Sequence, residues 1–468
     1  MSNGNGLSNI EHLVVLMLEN RSFDHMLGFL YTDQANVSPA GQAYEGLTGE
    51  ESNPDENGKL VTVRRIEASD PNPYFMPGAD PGEGYGPTNA QLFATLNPPA
   101  PPVATMQGFV TNFADTLNQR TQQRETVLPG TVADDIMGCF TPDTLPVLSA
   151  LARGYAVCDQ WFSSVPTETL PNRAFACAAT SQGHMDDHTR TFTCPSIFGR
   201  LSDGNVGWNV YGDTVAPMTR HNFPDISGAS DDHFGLYGDF QKAAAANTLP
   251  AFTFLEPTFA STGNSEHPVG DVALGEQLIQ QVYRTLHDGP GWNQTLLVIT
   301  YDEHGGCYDH VPPPVTSTPP NDGTTGEFGF DFTRFGVRVP TVLVSPLIVP
   351  GTVFRSPDGA PPLDHTSILR TVEQRWTLSP LTARDAATSD IGAVLTLGAP
   401  RTDDVLAGVN APPPAAVNPA AAEVSHLQQV HADLVARQLI PGGQKVLQRQ
   451  LPSSFTPQAY ADFIKANT

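Results

Sequence analysis

Two apolar runs, far apart in the chain, end in paired polar residues, and they constrain the fold more than any other feature. Leu13-Val14-Val15-Leu16-Met17-Leu18 runs into Glu19-Asn20, and Leu296-Leu297-Val298-Ile299-Thr300 runs through Tyr301 into Asp302-Glu303. Unbroken aliphatic runs of this length are what strands buried on both faces of a parallel sheet require, whereas a strand with one wet face alternates. Ligands of open α/β folds bind at the carboxyl edge of the strands, so the polar ends of both runs are predicted to meet there. Three carboxylates and one amide at a single edge make a cation site the first expectation.

The rest of the chain supplies what such a sheet needs. Phe252-Thr253-Phe254-Leu255 and residues 339–344 are further strand-like runs, and residues 157–162 read as a strand approaching the edge. Residues 145–156, 275–286 and 366–376 have helical spacing, and residues 20–28 read as a short helix or turn. Strands alternating with helices predict an α/β fold with a mostly parallel central sheet and helices on both faces. Residues 32–102 are polar and rich in Gly and Pro with little periodicity, which predicts a loop-rich insertion folded over the catalytic face. The expected organisation is one domain over residues 1–400, then a Pro- and Ala-rich linker and a C-terminal helical extension over 401–468, with helical spacing at 424–439.

A net charge of −25 over 468 residues repels phosphate backbones and anionic lipid, which excludes nucleic acid as a partner. No basic amphipathic helix is present to hold an anionic membrane, so at most transient membrane-surface contact is expected. No run approaches the ~18 apolar residues of a membrane span. The first run lacks a basic flank and a small-residue cleavage site, so a soluble protein is predicted, cytoplasmic or exported without an evident N-terminal signal peptide. The five cysteines show no zinc-ligand spacing, and scattered buried thiols are expected, with a single disulfide as the alternative.

Several short segments carry possible chemistry. Asp302-Glu303-His304-Gly305-Gly306 places two acids before a tight turn, and Asp309-His310 follows at once, in position to support the first group of ligands. His267 and His233 are each candidates that need support from neighbours, and Asp364 reads as the N-cap of the helix after it. Val165-Pro166-Thr167-Glu168-Thr169-Leu170-Pro171-Asn172-Arg173 reads as a turn opening a helix. A hydroxyl there lies near backbone N–H groups and the positive end of a helix, a setting suited to phosphate.

Taken in order, Glu19-Asn20-Arg21-Ser22-Phe23-Asp24, Thr169-Leu170-Pro171-Asn172-Arg173, Phe254-Leu255-Glu256-Pro257 with His267-Pro268, Thr300-Tyr301-Asp302-Glu303 and Asp309-His310-Val311-Pro312-Pro313 resemble the phosphoesterase family. That family contains bacterial and plant non-specific, phosphatidylcholine-type phospholipases C and related acid phosphatases, and the resemblance spans residues 10–376. It implies an alkaline-phosphatase-like α/β fold, a nucleophile at Thr169, and metal ligands at Glu19, Asn20, Asp302 and Glu303. It also implies that His267 binds or protonates substrate; Asn172, His233 and Glu168 are expected at the substrate. The chain departs from the family in two places. Glu83 stands where many members carry His, and Thr167-Glu168 replaces a Gly-Pro pair; Glu168 adds negative charge that would favour a cationic headgroup.

A threonine hydroxyl is a weak nucleophile, and coordination to a divalent cation lowers its pKa, so Thr169 is expected to be a ligand as well as the attacker. An all-oxygen set favours a hard cation: Ca2+ ranks first, then Mg2+ or Mn2+, with Zn2+ last. The expected reaction is phospholipase C-type cleavage of phospholipid to diacylglycerol and a phosphorylated headgroup through a phosphothreonine intermediate. The alternatives are an acid phosphatase for soluble phosphomonoesters, using the same residues, and a non-catalytic, metal-stabilised effector or binding scaffold.

Overall fold

The first apolar run forms β1 (His12–Leu18) at the interior of the principal sheet. A computed structural model describes residues 6–98, 102–416, 424–437, 451 and 456–468. In chain order the sheet continues with β2 (Ala156–Val157), β3 (Trp208–Gly212), β4 (Phe234–Leu236), β5 (Phe252–Glu256), β6 (Thr295–Tyr301), β7 (Thr341–Val344) and β8 (Thr352–Val353). The spatial order is β8-β2-β7-β6-β1-β5-β3-β4. The second apolar run is β6, directly beside β1 and parallel to it, with Leu18 opposite Tyr301. Glu19 and Asp302 therefore leave the same edge side by side.

Every residue of β6 is buried, as is every residue of β1 after His12, which is why neither run alternates. Each fully buried aliphatic side chain contributes ~1.5–3 kcal/mol. The covering helices fall into two packed groups. Pro146–Gly154 and Val272–His287 contact each other, and Thr169–Ala178 packs with Ile197–Asp203 and Thr366–Trp376. The expected α/β architecture with a mostly parallel sheet is thus the one observed.

Three details differ from the sequence reading. β7 is antiparallel to both neighbours, because an apolar run carries no direction. The chain leaves β6 at the carboxyl edge, stays there through residues 302–340, and re-enters the sheet from that edge. The run 157–162 splits: Ala156–Val157 joins the main sheet, whereas Trp161–Phe162 pairs with Leu363–Asp364. Residues 32–102 are also more ordered than their composition suggests. They contain the hairpin strands Ser52–Pro54 and Leu60–Thr62 and the helix Tyr85–Phe93, with a core of Leu92, Phe109, Val110, Phe113 and Met137. Gly84, Gly86 and Pro87 hide that helix from a periodicity reading, yet proline in a first turn forfeits no helical hydrogen bond.

Residues 401–416 are bonded to the helix Val272–His287. Gln277 and Gln280 donate to the Pro412 and Val409 carbonyls at 2.9 Å, and Arg284 pairs with Asp404. The helix His426–Ala436 packs on the main core through Leu427, Val430 and Leu434, and Pro457–Asn467 packs on it in turn. Residues 438–439 of the expected helix lie outside the described residues. All five cysteines are free thiols, so the single-disulfide alternative is not met.

Candidate active site

The two strand ends close on each other through backbone. Asn20 turns the chain after Glu19 with a left-handed φ of 53°, and its N–H donates to Asp302 Oδ1 at 3.1 Å. The same oxygen accepts the Glu303 N–H at 2.8 Å, while Asp302 Oδ2 accepts from Arg173 Nε at 2.9 Å. Glu303 Oε2 takes the Gly305 N–H at 2.8 Å. Gly305 adopts φ 60°, and a Cβ there would lie 2.0 Å from the Asn20 carbonyl oxygen, so only glycine permits this closure. Asn20, Asp302 and Glu303 are completely buried, and Glu19 nearly so.

Thr169 is the first residue of the helix Thr169–Ala178, and its hydroxyl donates to Asn20 Oδ1 at 3.1 Å. The turn before it is braced from within. Asn172 Oδ1 accepts from the Val165 N–H at 3.0 Å, and its amide donates to the carbonyls of Val165, Thr167 and Glu168 at 2.9–3.1 Å. Asn172 is therefore committed to the turn and does not line the cavity. The Glu168 carboxylate folds back to accept the Asp187 N–H at 2.7 Å, and Asp187 accepts the Leu170 N–H at 2.6 Å.

Above Thr169 lies a cavity of about 550 Å³ with Glu19, Asp80, Glu83, Glu168, Asp187 and His267 in its walls. Arg120, Phe259 and the start of the helix His426–Ala436 also line it. Glu83 Oε2 accepts from the Asn20 amide at 2.5 Å and lies 3.8 Å from His267 Nε2. Arg120 pairs with Asp80 at 2.6 Å, and Arg173 with Asp302. Burial pushes the Glu19 carboxyl up to about 7. Burial, then Asp80, Glu168 and Asp187, raise Glu83 well above the usual carboxylate range, and burial raises Glu303 similarly.

The donor set fits a divalent cation. Glu303 Oε1 is buried with no hydrogen-bond partner among the described residues. Carboxylates crowded into a low-dielectric site outnumber the two guanidinium groups, and a cation offsets that repulsion. Asp80, Glu83 and His267 also present ligand atoms within 4.8 Å of one another. Glu83, at the position where the family often has His, is thus a wall of the site and bonded to Asn20.

Three predicted residues, His233, Asp309 and His310, lie elsewhere, as does Asp364. His233 stacks on Trp208 with ring centres 4.0 Å apart and bonds the Trp208 carbonyl through Nδ1 at 2.7 Å, so it does not line the cavity. Asp309 shares a buried ion network with Asp24 and Arg338, and His310 Nδ1 meets Asp24 Oδ2 at 2.6 Å. The Arg338 guanidinium bridges the two aspartates, and Asp24, Asp309 and His310 also present ligand atoms within 4.8 Å of one another. Asp364 accepts from the Thr366 N–H at 3.2 Å and pairs with Arg384, and His365 Nε2 bonds the Asp302 carbonyl at 2.6 Å. Sequence reasoning missed Asp80, Asp187 and His426, which sit in irregular segments or beyond the main sheet and carry no periodic signal. Asp186-Asp187 and Asp80 stand out only as acids near Gly and Pro.

The phosphoesterase family profile matches residues 10–379. The chain is 36% identical over 414 residues to non-specific phospholipase C6 of Arabidopsis thaliana, covering 85% of this chain and 74% of that protein. It is 37% identical over 398 residues to non-specific phospholipase C1 of the same plant, covering 81% and 69%. Phospholipase C B of Mycobacterium tuberculosis is 29% identical over 459 residues, covering 84% and 79%. The molecule is a hydrolase acting on phosphoric ester bonds. It belongs to the phosphoesterase family.

Proposed function

We propose that this protein is a phospholipase C-type phosphodiesterase with Thr169 as its nucleophile. The observation that carries the reading is the Thr169 hydroxyl at a helix N-terminus, 3.1 Å from Asn20 Oδ1, at the base of an acid-walled cavity. Glu19, Asn20, Thr169, Asp302 and Glu303 would hold one divalent cation, with Ca2+ ranked first for an all-oxygen set. When bound, the cation lowers the pKa of the hydroxyl and offsets charge on the phosphoryl group.

The chain's own groups perform the rest. The Thr169 hydroxyl releases its proton to solvent as Oγ1 forms a bond to phosphorus, the bond to the diacylglycerol oxygen breaks, and the departing alkoxide takes a proton from His267. Water, deprotonated by the now neutral His267, then attacks phosphorus, the bond to Oγ1 breaks and Oγ1 takes back a proton from solvent, and the phosphorylated headgroup is released. Asn20, held by the Glu83 carboxylate, orients the attacking hydroxyl. Burial and mutual repulsion raise the carboxyls of Glu83, Glu168 and Asp187, and a cationic headgroup beside them would draw them into the charged form whereas a dianionic monoester would not, which supports this reading over that of an acid phosphatase.

The test is hydrolysis of phosphatidylcholine beside p-nitrophenyl phosphate, by wild type and Thr169→Ala, with and without a chelator. Diester cleavage that requires both Thr169 and metal supports the proposal. Monoester cleavage alone makes the protein an acid phosphatase. Turnover of neither, in folded protein, favours the non-catalytic scaffold.

A further inference from the structure

Beside the cavity, an aromatic and aliphatic patch is exposed where burial is the norm. Phe328 is 68% exposed and Leu96 59% exposed. The two flank Tyr85. Phe328 stacks on its ring at 5.5 Å with an interplanar angle of 7°, and Leu96 lies against Gly86, the next residue. Tyr85 follows closely on the cavity wall: Glu83 lines the cavity, and Gly84 packs against the Glu168 carboxylate. Tyr85, at the centre of the patch, thus lies two residues along the chain from a wall residue of the cavity.

The backbone holds this patch out at a cost. Phe328 adopts φ 58°, a conformation that bulky residues avoid and that points to a functional reason for the side chain. Its loop is anchored at Glu327, whose carbonyl also accepts the Phe330 N–H at 3.1 Å. The Glu327 N–H donates to the Gly183 carbonyl at 2.8 Å, and the Glu327 carboxylate accepts the Met185 N–H at 2.8 Å. Beneath, the Arg334 guanidinium lies 5.7 Å from the Tyr85 ring centre and donates to Asn89 Oδ1 at 2.9 Å. The aromatic pair is therefore presented on a rigid mount.

We propose that Phe328, Tyr85 and Leu96 form an interfacial docking surface that inserts shallowly into a zwitterionic lipid surface and delivers a phospholipid headgroup to the cavity. The inference rests on the phospholipase reading. Charge chooses the lipid: Asp322, Glu327 and Asp331 border the Phe328 loop and acids line the cavity, so an anionic surface is repelled. A choline-type surface instead presents its cationic group outermost. Aromatic side chains suit that interface, and burial of one phenylalanine there corresponds to about tenfold in partitioning.

Full-length protein carrying Thr169→Ala, which leaves lipid intact, is tested for co-flotation with phosphatidylcholine vesicles, alone and with Phe328→Asn or Leu96→Gln. Asparagine tolerates the left-handed backbone, so the first variant keeps the loop geometry. The proposal predicts about tenfold weaker vesicle binding for Phe328→Asn. In the Thr169 enzyme it predicts a matching loss of vesicle turnover and unchanged turnover of water-soluble p-nitrophenyl phosphorylcholine. Unchanged vesicle binding, equal losses on both diesters, or a dimer that Phe328→Asn dissociates would overturn it. Wild type inactive on both diesters would defeat the phospholipase reading, and vesicle binding that still depends on Phe328 would then support the surface independently.

Discussion

The Thr169 hydroxyl donates to Asn20 Oδ1 across 3.1 Å, joining residues 149 positions apart in the chain. Asn20 lies two residues past the first strand, and its N–H is held by Asp302, the residue after the neighbouring strand. One residue thus fixes the hydroxyl relative to the acids. A 1 Å misplacement of a reacting group costs roughly 10²-fold in rate, which is why a buried, fully bonded residue occupies this junction.

Removal of one ligand charge should be visible as metal before it is visible as rate. Asp302→Asn is expected to bind less divalent metal than wild type, measured by elemental analysis after dialysis, and to lose activity in proportion. Unchanged metal stoichiometry would remove Asp302 from the ligand set.

Glu168 accepts the Asp187 N–H, and a glutamine can keep that bond while losing the charge. Glu168→Gln should therefore reduce turnover of a choline diester more than turnover of a monoester. Equal losses would assign Glu168 to the turn rather than to headgroup selection.

Arg338 is fully buried and bonded to Asp24 at 2.8 Å and Asp309 at 3.0 Å. Arg338→Met leaves buried Asp309 without its counter-ion and Asp24 with His310 alone, at a cost of about 3–5 kcal/mol. Urea unfolding should show that loss, with metal stoichiometry unchanged in the protein that remains folded. Loss of metal at full stability would place Asp309 and His310 in support of the ligands instead.

Glu276 is buried and accepts the Val147 and Leu148 N–H groups at 2.7 Å, and burial pushes its carboxyl up from 4.5 to about 7. A carboxyl raised on folding contributes stability that is complete below its unfolded pKa and lost as pH rises through its folded one. Relative to Glu276→Gln, wild type is therefore expected to lose ~3 kcal/mol between pH 4.5 and just above pH 7. Parallel urea-stability profiles for the two proteins would contradict the assignment.

The pairing of β1 with β6 was legible because an apolar run ending in acids states both burial and edge. The helix over residues 366–376 was legible for the same reason: its periodicity belongs to its own residues. What was not legible depends on distant partners. The reversed direction of β7 follows from where the preceding loop travels, and no side chain in the run encodes it. Asn172 is expected at the substrate from the motif it shares with Thr169, yet its amide is used by the backbone of its own turn. Asp80 and Asp187 acquire meaning only when the insertion and the residues after the nucleophile helix fold beside Thr169.

The central claim is that Thr169 itself forms the bond to phosphorus. Rapid acid quench of the enzyme during phosphatidylcholine turnover, followed by mass analysis of its peptides, should find a phosphate-ester adduct on Thr169. No such adduct should form in Thr169→Ala, which should be folded and inactive. Wild-type turnover by a correctly folded Thr169→Ala protein would contradict the account.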